Sequence, residues 1–181
     1  MDTKNRERLK EILARNSILR GEFTLASGKK SSYYIDARLT TLDPEGVSLV
    51  AGIFLEEILK DPGINAVGGP TMGADPIVGA LIAESHRIGK PLNGFLVRKR
   101  EKEHGTGKVV EGGVKSGDVA AVVEDVVTTG GSVLTAVDAV RSIGVEARKV
   151  LVIVDREEGG DEIFREMGME LYSIFRISEL L

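Results

Sequence analysis

The stretch VVEDVVTTGGSV, residues 122–133, decides the fold. It begins as an apolar run, which predicts a buried strand, and Glu124 and Asp125 stand where we expect that strand to end. Small and hydroxyl-bearing residues follow at 128–132, and a helical pattern starts directly after them. Ligands of open parallel sheets bind outside the carboxyl ends of the strands. The stretch therefore predicts one wall of a ligand crevice.

The turn at residues 128–132 has the chemistry of a phosphate site. Glycines before a helix leave backbone N–H groups unpaired at the positive end of the helix dipole, and the hydroxyls add further donors. Glu124 and Asp125 would repel a phosphate, but they suit sugar hydroxyls or a Mg²⁺ ion that neutralises other phosphates. The alternative is an ordinary capped turn, which the flanking strand and the paired acids disfavour. Together the features indicate a sugar phosphate as ligand.

Strands and helices alternate along the rest of the chain. From residue 64 the predicted strands are INAVGG, LNGFLVR, VAAVVEDV, KVLVIVD and ELYSIF, and the predicted helices are PIVGALIAESHRIG, SVLTAVDAVRSIG and DEIFREMG. The helix after the opening stretch is marked by Val133, Ala136, Val137, Val140 and Ile143. This alternation predicts an α/β fold with an open, mostly parallel sheet flanked by helices.

The first 60 residues do not join the alternation. They predict a helix with Leu9, Ile12 and Leu13 on one face, two short strands around a turn at residues 27–30, and a helix from Pro44 to about Lys60. We expect a single domain over residues 1–181, in which about residues 1–45 and the C-terminal end form a small hood. The polar segment at 99–113 is long for a loop and predicts either a functional lid or a solvated charge run.

Composition excludes several classes of function. The chain has 181 residues, 42% of them hydrophobic and 29% charged, and a net charge of −4, which argues against nucleic acid as the main partner. It has no cysteine and two histidines, so thiolate and histidine metal sites are not expected. No run approaches about 18 apolar residues, and the first residues are charged. We expect a soluble, cytoplasmic protein with no membrane partner.

VVEDVVTTGGSV resembles the signature with which phosphoribosyltransferases bind phosphoribosyl diphosphate (PRPP). The segments FTLASGKKSSYYID, GGPTMGADP, VRKREKEHGTG and VDREEGG extend the resemblance to the orotate phosphoribosyltransferases, in the same order and spacing. The resemblance implies transfer of the phosphoribosyl group of PRPP to orotate, which gives orotidine 5′-monophosphate and pyrophosphate in pyrimidine biosynthesis. It also implies Mg²⁺ as cofactor and a homodimer with shared active sites.

The resemblance assigns a role to each matching residue. The implied catalytic residues are Lys99, Lys102, His104 and Asp125. The implied PRPP-binding residues are Thr71, Met72, Arg98, Lys99, Lys102, His104, Glu124, Asp125, Val126, Val127, Thr128, Thr129, Gly130, Gly131 and Ser132. The implied orotate-binding residues are Tyr34, Ile35, Thr128 and Arg156. Mg²⁺ is expected to be held mainly by PRPP and water near Glu124 and Asp125, with no dedicated set of protein ligands.

Some positions depart from the family or allow another interpretation. Met72 and Ala26 stand where the family commonly has lysine, and Lys29 or Lys30 is the candidate substitute for the second. Arg156 could instead be a surface arginine paired with Glu157 or Glu158.

Two other functions remain open at this point. The chain could act on another base, or it could be a PRPP-sensing regulator. A regulator would need a nucleic-acid-binding module, and the first 20 residues are too short for one.

Overall fold

The computed structural model describes residues 3–24, 30–98 and 109–181. Its strands are β1 (Ile18–Thr24), β2 (Lys30–Ile35), β3 (Ala66–Pro70), β4 (Asn93–Val97), β5 (Val110–Gly112), β6 (Val119–Val127), β7 (Glu146–Asp155) and β8 (Glu170–Arg176). Its helices are α1 (Thr3–Asn16), α2 (Arg38–Thr41), α3 (Pro44–Ile58), α4 (Ala74–Arg87), α5 (Gly131–Ser142) and α6 (Gly160–Glu166), with a 3₁₀ turn at Ile177–Glu179. Within these described ranges, every helix is too short or too polar to cross a membrane.

Six strands form the main sheet in the order β5-β4-β3-β6-β7-β8. Neighbouring strands are parallel except for β5, which pairs antiparallel with β4 at the edge. The predicted fold class, an open and mostly parallel sheet flanked by helices, is confirmed. Because β6 lies between β3 and β7, its carboxyl end opens at the middle of the sheet.

Both faces of the sheet are covered, which explains the continuous apolar run in β6. Ala121 and Val123 pack into a cluster with α1, α3 and α4, whereas Ala120 and Val122 pack into a second cluster with α5 and α6. Side chains alternate between the two faces of a strand, so a strand buried on both faces has no polar positions along its middle. The two polar residues of β6, Glu124 and Asp125, lie near its carboxyl end.

The β1–β2 hairpin forms a separate two-stranded antiparallel sheet. α1 belongs to the core instead, since Leu9 and Leu13 share a cluster with Ile177 and Leu180 from the other end of the chain. The Arg6 guanidinium lies 4.5 Å from the centre of the Phe175 ring, and it also pairs with Glu179. The single-domain assignment, with a hood made from residues 1–45 and the C-terminal end, stays a prediction.

Several predicted boundaries were wrong. The prediction missed the one-turn helix α2 and the three-residue strand β5, both too short to show a period. β5 occupies residues 110–112 of the segment predicted to be loop from 99 to 113. Ile143 was expected on the buried face of α5, but the helix ends before it and its side chain is 41% exposed. Lys30 lies in β2 and not in the turn.

Candidate active site

Glu124 and Asp125 lie near the carboxyl end of β6 in a confined space. Glu124 is 6% exposed, and its Oε2 accepts a hydrogen bond of 3.2 Å from the Ser132 hydroxyl. Gly73 approaches from the other side: a Cβ there would lie 2.1 Å from Glu124 Oε1 and 2.6 Å from Asp125 Oδ1. The acid pair is therefore held between the loop after β3 and the first turn of α5.

The confinement changes the acidity of both carboxyl groups. Burial raises the pKa of Glu124 to about 8, and the negative charge of Asp125 adds to this effect. Burial also raises the pKa of Asp125, although a hydrogen bond from the Val126 N–H and the charge of Arg38 oppose the shift. Two carboxyl groups that resist ionisation together favour a ligand that brings hydroxyl donors or a cation.

A cavity of about 330 Å³ opens in front of the acid pair. Its lining comes from β2, α2, the loop after β3, β6 and the start of α5, and consists of Tyr34, Ile35, Asp36, Ala37, Arg38, Thr71, Met72, Gly73, Glu124, Asp125, Val126 and Ser132. Eight of these residues were predicted to bind a substrate, and the structure brings them together here: Tyr34, Ile35, Thr71, Met72, Glu124, Asp125, Val126 and Ser132. Gly73 belongs to the loop at 68–73, which the resemblance assigns to pyrophosphate. The prediction missed Asp36, Ala37 and Arg38. These residues directly follow Tyr34 and Ile35 in sequence, which is the signal that could have indicated them.

The loop after β3 brings backbone and not charge to this cavity. Thr71 N–H donates to Val97 O at 3.0 Å, and the peptide bond between Thr71 and Met72 is cis. The Met72 side chain is 64% exposed. Since Thr71, Met72 and Gly73 carry no charge, any anion bound at this loop needs its counter-charge from another part of the site.

The start of α5 forms the opposite wall. Gly130 has φ of 83°, a left-handed conformation that favours glycine, and a Cβ there would lie 2.8 Å from the Phe164 ring. Within the described part of the chain, no side chain caps the helix. Its first N–H groups are therefore available to a ligand. Thr128 is half-buried in this turn, while Thr129 and Gly131 are exposed.

A second cavity of about 280 Å³ adjoins the first at Ser132. It is lined by Pro70, Val97, Arg98, Gly131, Ser132, Thr135 and Ala136. Arg98 Nη1 lies 3.8 Å from Glu111 Oε1, and Arg98 lines this adjoining cavity and not the one in front of the acids.

Val127 and Arg156 lie outside both cavities. The Val127 side chain is 2% exposed within the core, and its carbonyl accepts a hydrogen bond from Arg156 N at 2.9 Å. The Arg156 side chain is 12% exposed, its Nη2 lies 3.0 Å from Glu158 Oε1, and its Cζ lies 5.5 Å from the centre of the Tyr33 ring. Arg156 is therefore not an exposed surface arginine, although it does form the ion pair with Glu158 that the alternative interpretation expected. Its buried Nε has no acceptor among the described residues.

Other predicted residues lie outside the described ranges. These are the expected catalytic residues Lys99, Lys102 and His104, together with Ala26 and its possible substitute Lys29.

The residues around the acid pair fit a metal ion that its ligand helps to hold. In residues 3–24, 30–98 and 109–181, no group of three or more His, Asp or Glu side chains is arranged to hold a metal. Mg²⁺ commonly binds to one or two carboxylates while it keeps water and substrate phosphates as its other ligands. Glu124, Asp125 and the Ser132 hydroxyl match that pattern.

Comparison with known proteins first gives the class. Residues 42–167 match the family model described as the phosphoribosyl transferase domain. With the parallel sheet and the acid pair at its carboxyl edge, this match makes the chain a phosphoribosyltransferase.

Individual relatives then show which phosphoribosyltransferases the chain resembles. Orotate phosphoribosyltransferase from Rhodopirellula baltica is 44% identical over 93% of this chain and 90% of the relative. The enzyme of the same name from Rhodopseudomonas palustris is 45% identical over 98% of this chain and 96% of the relative. The solved structure of Mycobacterium tuberculosis orotate phosphoribosyltransferase in complex with PRPP is 36% identical, covers 97% of this chain and 98% of that one, and superposes with a TM-score of 0.82. The chain belongs to the orotate phosphoribosyltransferase family, as its sequence motifs indicated.

Replacing Gly73 by alanine tests the contact between the β3 loop and the acids. Gly73 has φ of −61° and ψ of −40°, which alanine also adopts, so the added methyl acts only through its clash with Glu124 and Asp125. We expect kcat/KM for phosphoribosyl transfer to fall roughly 100-fold, the loss that a displacement of about 1 Å in an active site can cause.

Gly79→Ala on the same helix is the matched control. It has open space around its position and should keep full activity, with stability raised by up to about 1 kcal/mol. Steady-state kinetics and thermal unfolding of both variants measure this, and equal activity of the two would show that the loop does not position the acids.

Proposed function

We propose that the chain transfers the phosphoribosyl group of PRPP to orotate, forming orotidine 5′-monophosphate and pyrophosphate in de novo pyrimidine biosynthesis. The observation that carries the proposal is the buried acid pair, which shares one cavity with the start of α5 and the loop after β3. A sugar diphosphate needs hydroxyl acceptors, a phosphate cradle and a second anion site. The cavity combines candidates for all three.

In this proposal Glu124 and Asp125 accept hydrogen bonds from the ribose hydroxyls. Because Glu124 is buried, Asp125 is half-buried and both of their pKa values are raised, bound hydroxyl donors stabilise the ionised forms that the empty site disfavours. The turn at 128–132 holds the 5′-phosphate through backbone N–H groups and the hydroxyls of Thr128, Thr129 and Ser132. The backbone at Thr71 and Met72 holds the pyrophosphate.

The reaction breaks the bond between ribose C1′ and the pyrophosphate oxygen. Its electron pair leaves with pyrophosphate, and the ring nitrogen of orotate, attacking as an anion, supplies the pair for the new C–N bond. Positive charge builds on the ribose in an oxocarbenium-like transition state, as in glycoside cleavage. We propose that Arg98, Lys99, Lys102 and His104 stabilise the negative charge on the departing pyrophosphate. Since orotate attacks as an anion, none of these residues has to act as a base.

Mg²⁺ is part of the proposal. Glu124, Asp125 and bound water would hold the ion together with PRPP, and the ion would neutralise phosphate oxygens.

We assign orotate to the space beside Tyr34 and Ile35, with Thr128 and Arg156 as further contacts. Tyr34 packs its ring 5.7 Å from Phe23 and is 39% exposed, so it offers an aromatic surface at the mouth of the cavity. Ile35 offers only apolar contact. The Arg156 guanidinium is well placed for a carboxylate, since its Nε lacks an acceptor among the described residues and it lies over the Tyr33 ring. A carboxylate bound there would satisfy a buried donor.

Three further proposals rest on the sequence and the family. We propose a homodimer in which the segment 99–113 of one subunit completes the site of the other. A cytoplasmic location and a single domain with an N-terminal hood stay predictions.

Orotate consumption, followed by absorbance with and without PRPP and Mg²⁺, tests the reaction. We expect turnover only when all three are present, and roughly 100-fold lower kcat/KM in Glu124→Gln and in Asp125→Asn. A carboxyl group whose pKa is raised on folding loses stabilising free energy as pH rises from its unfolded pKa to its folded one. At pH 8 the free energy of unfolding of Glu124→Gln should therefore equal or exceed that of the wild type. Near-normal activity of both variants would refute the ribose assignment, and turnover of a purine base in place of orotate would support the alternative substrate.

Arg156→Ala tests the base site. Loss of a charged hydrogen bond of about 1.5–3 kcal/mol should raise the KM for orotate about 10- to 100-fold and relax the preference for orotate over uracil. Arg165→Ala is the control, because Arg165 is 71% exposed and pairs with Asp161 on α6. If the orotate-to-uracil ratio of kcat/KM is the same in both variants, Arg156 does not contact the orotate carboxylate.

Subunit mixing tests the shared site. Lys102→Ala and Asp125→Ala should each be nearly inactive alone. If Lys102 serves the neighbouring subunit, a mixed dimer has one site with both defects and one with neither, so its activity should approach half that of the wild type. The measurement is activity after the two variants exchange subunits, with exchange verified by mass spectrometry of differently tagged chains. Exchange without recovery would mean that the loop serves its own subunit.

A further inference from the structure

Arg38 stands out among the groups that line the main cavity and have no role so far. In the described lining it is the single cation, and it shares the cavity with three carboxyl groups, those of Asp36, Glu124 and Asp125. A PRPP molecule in this cavity adds the negative charge of its phosphates. The loop at Thr71 and Met72, assigned above to pyrophosphate, contributes no charge of its own. Among the described residues that line this cavity, Arg38 is the one that can supply a counter-charge to the diphosphate.

Asp36 holds the Arg38 guanidinium in one orientation. Arg38 Nε donates to Asp36 Oδ1 at 2.7 Å and Nη2 donates to Oδ2 at 2.8 Å, so both carboxylate oxygens are used. The Arg38 backbone N–H also donates to Oδ1, at 3.2 Å. This arrangement leaves Nη1 without an acceptor among the described residues. A planar group held at one edge presents its remaining N–H donors in a fixed direction.

The backbone that carries Arg38 is anchored as firmly as the core. Ala37, Thr40 and Thr41 are each at most 1% exposed. The Thr40 hydroxyl forms a buried hydrogen bond of 2.7 Å with the Ser17 hydroxyl. α3 packs so closely that a Cβ on Gly46 would lie 2.3 Å from Thr40 O. α2 is therefore a rigid support, although it is a single turn.

We propose that Arg38, oriented by Asp36, binds the diphosphate group of PRPP and of the product pyrophosphate. The inference rests on the proposed function and adds a binding residue, Arg38, and a positioning residue, Asp36. We favour the diphosphate over the orotate carboxylate as the ligand of Arg38, because Arg38 lies in the same cavity as the loop after β3. Arg156, which is assigned to the carboxylate, lies outside that cavity. The charge of Arg38 also reaches Asp125, where it opposes the effect of burial on the pKa of that carboxyl group.

Kinetics in both directions test the proposal, because diphosphate is part of the substrate in one direction and a free substrate in the other. In Arg38→Gln we expect the KM for PRPP, and the KM for pyrophosphate in the reverse reaction, to rise at least about 10-fold. The KM values for orotate and for orotidine 5′-monophosphate should stay within about twofold, since neither contains the diphosphate. Arg38→Lys should recover part of the affinity because it keeps the charge. Asp36→Asn should weaken PRPP binding less than Arg38→Gln does.

Arg87→Gln is the matched control. Arg87 also contacts a neighbouring carboxylate through two nitrogens, with 2.7 Å from Nε to Glu84 Oε2, but it lies in the last turn of α4 and is 70% exposed. Unchanged KM values for PRPP and pyrophosphate in Arg38→Gln, equal to those of Arg87→Gln, would overturn the proposal. A rise confined to the KM for orotate would overturn it as well and assign Arg38 to the carboxylate.

Calorimetric titration with Mg²⁺-pyrophosphate separates this inference from the proposed function. If the wild type turns over no orotate, the proposed function fails, yet binding of pyrophosphate still tests Arg38. Weaker binding to Arg38→Gln than to the wild type and Arg87→Gln supports the role, and equal binding by all three refutes it. Thermal unfolding of each variant verifies that a loss of binding does not come from unfolding.

Discussion

Close contacts at three glycines determine where the cavity can form. A Cβ on Gly68 would lie 2.2 Å from Phe95 O, and one on Gly69 would lie 2.0 Å from Val123 O. At these two positions β3 leaves no room for a side chain beside β4 and β6. Because Val123 directly precedes the acid pair, the contact at Gly69 determines where the loop after β3 lies relative to Glu124. Gly73, at the end of this loop, likewise leaves no room for a side chain beside the Glu124 and Asp125 carboxyl groups. The loop, the acids and the start of α5 take their relative positions from this spacing.

The acid pair shows how the site depends on stability supplied elsewhere. Burying two adjacent carboxyl groups is unfavourable, as their raised pKa values indicate. The surrounding apolar clusters on both faces of the sheet supply the free energy that keeps them there. Binding sites often contain groups whose burial lowers stability, since a group that already lacks water loses less hydration free energy when its ligand binds. Unfavourable burial and binding capacity are thus two aspects of one arrangement.

Features encoded by a long local pattern could be predicted from the sequence, and features that depend on distant contacts could not. The apolar run of β6, the acids at its end and the helix after residue 130 form one continuous pattern, and Glu124, Asp125, Val126 and Ser132 of the twelve lining residues followed from it. The fold class followed from the alternation of strands and helices, and the other predicted lining residues followed from the family resemblance. β5 has three residues and α2 has four, too few to show a period. The place of Arg38 in the cavity depends on how α2 packs under α3, and its position soon after Tyr34 and Ile35 was the one sequence signal for it. Whether Arg156 was buried or exposed likewise depended on its packing against Tyr33.

The pairing of α1 with the last residues of the fold bears on how the chain is made. Arg6 on α1 donates a hydrogen bond of 3.2 Å to Ile174 O, lies over the Phe175 ring and pairs with Glu179. A ribosome adds about 5–20 residues per second, so α1 is synthesised roughly ten seconds or longer before these partners. Leu9 and Leu13 also share their cluster with Val50, Ile53 and Phe54 of α3, so the apolar face of α1 can be covered while the chain is still being made. The contacts of Arg6 form only after β8 has been synthesised, which places them among the last contacts that α1 makes.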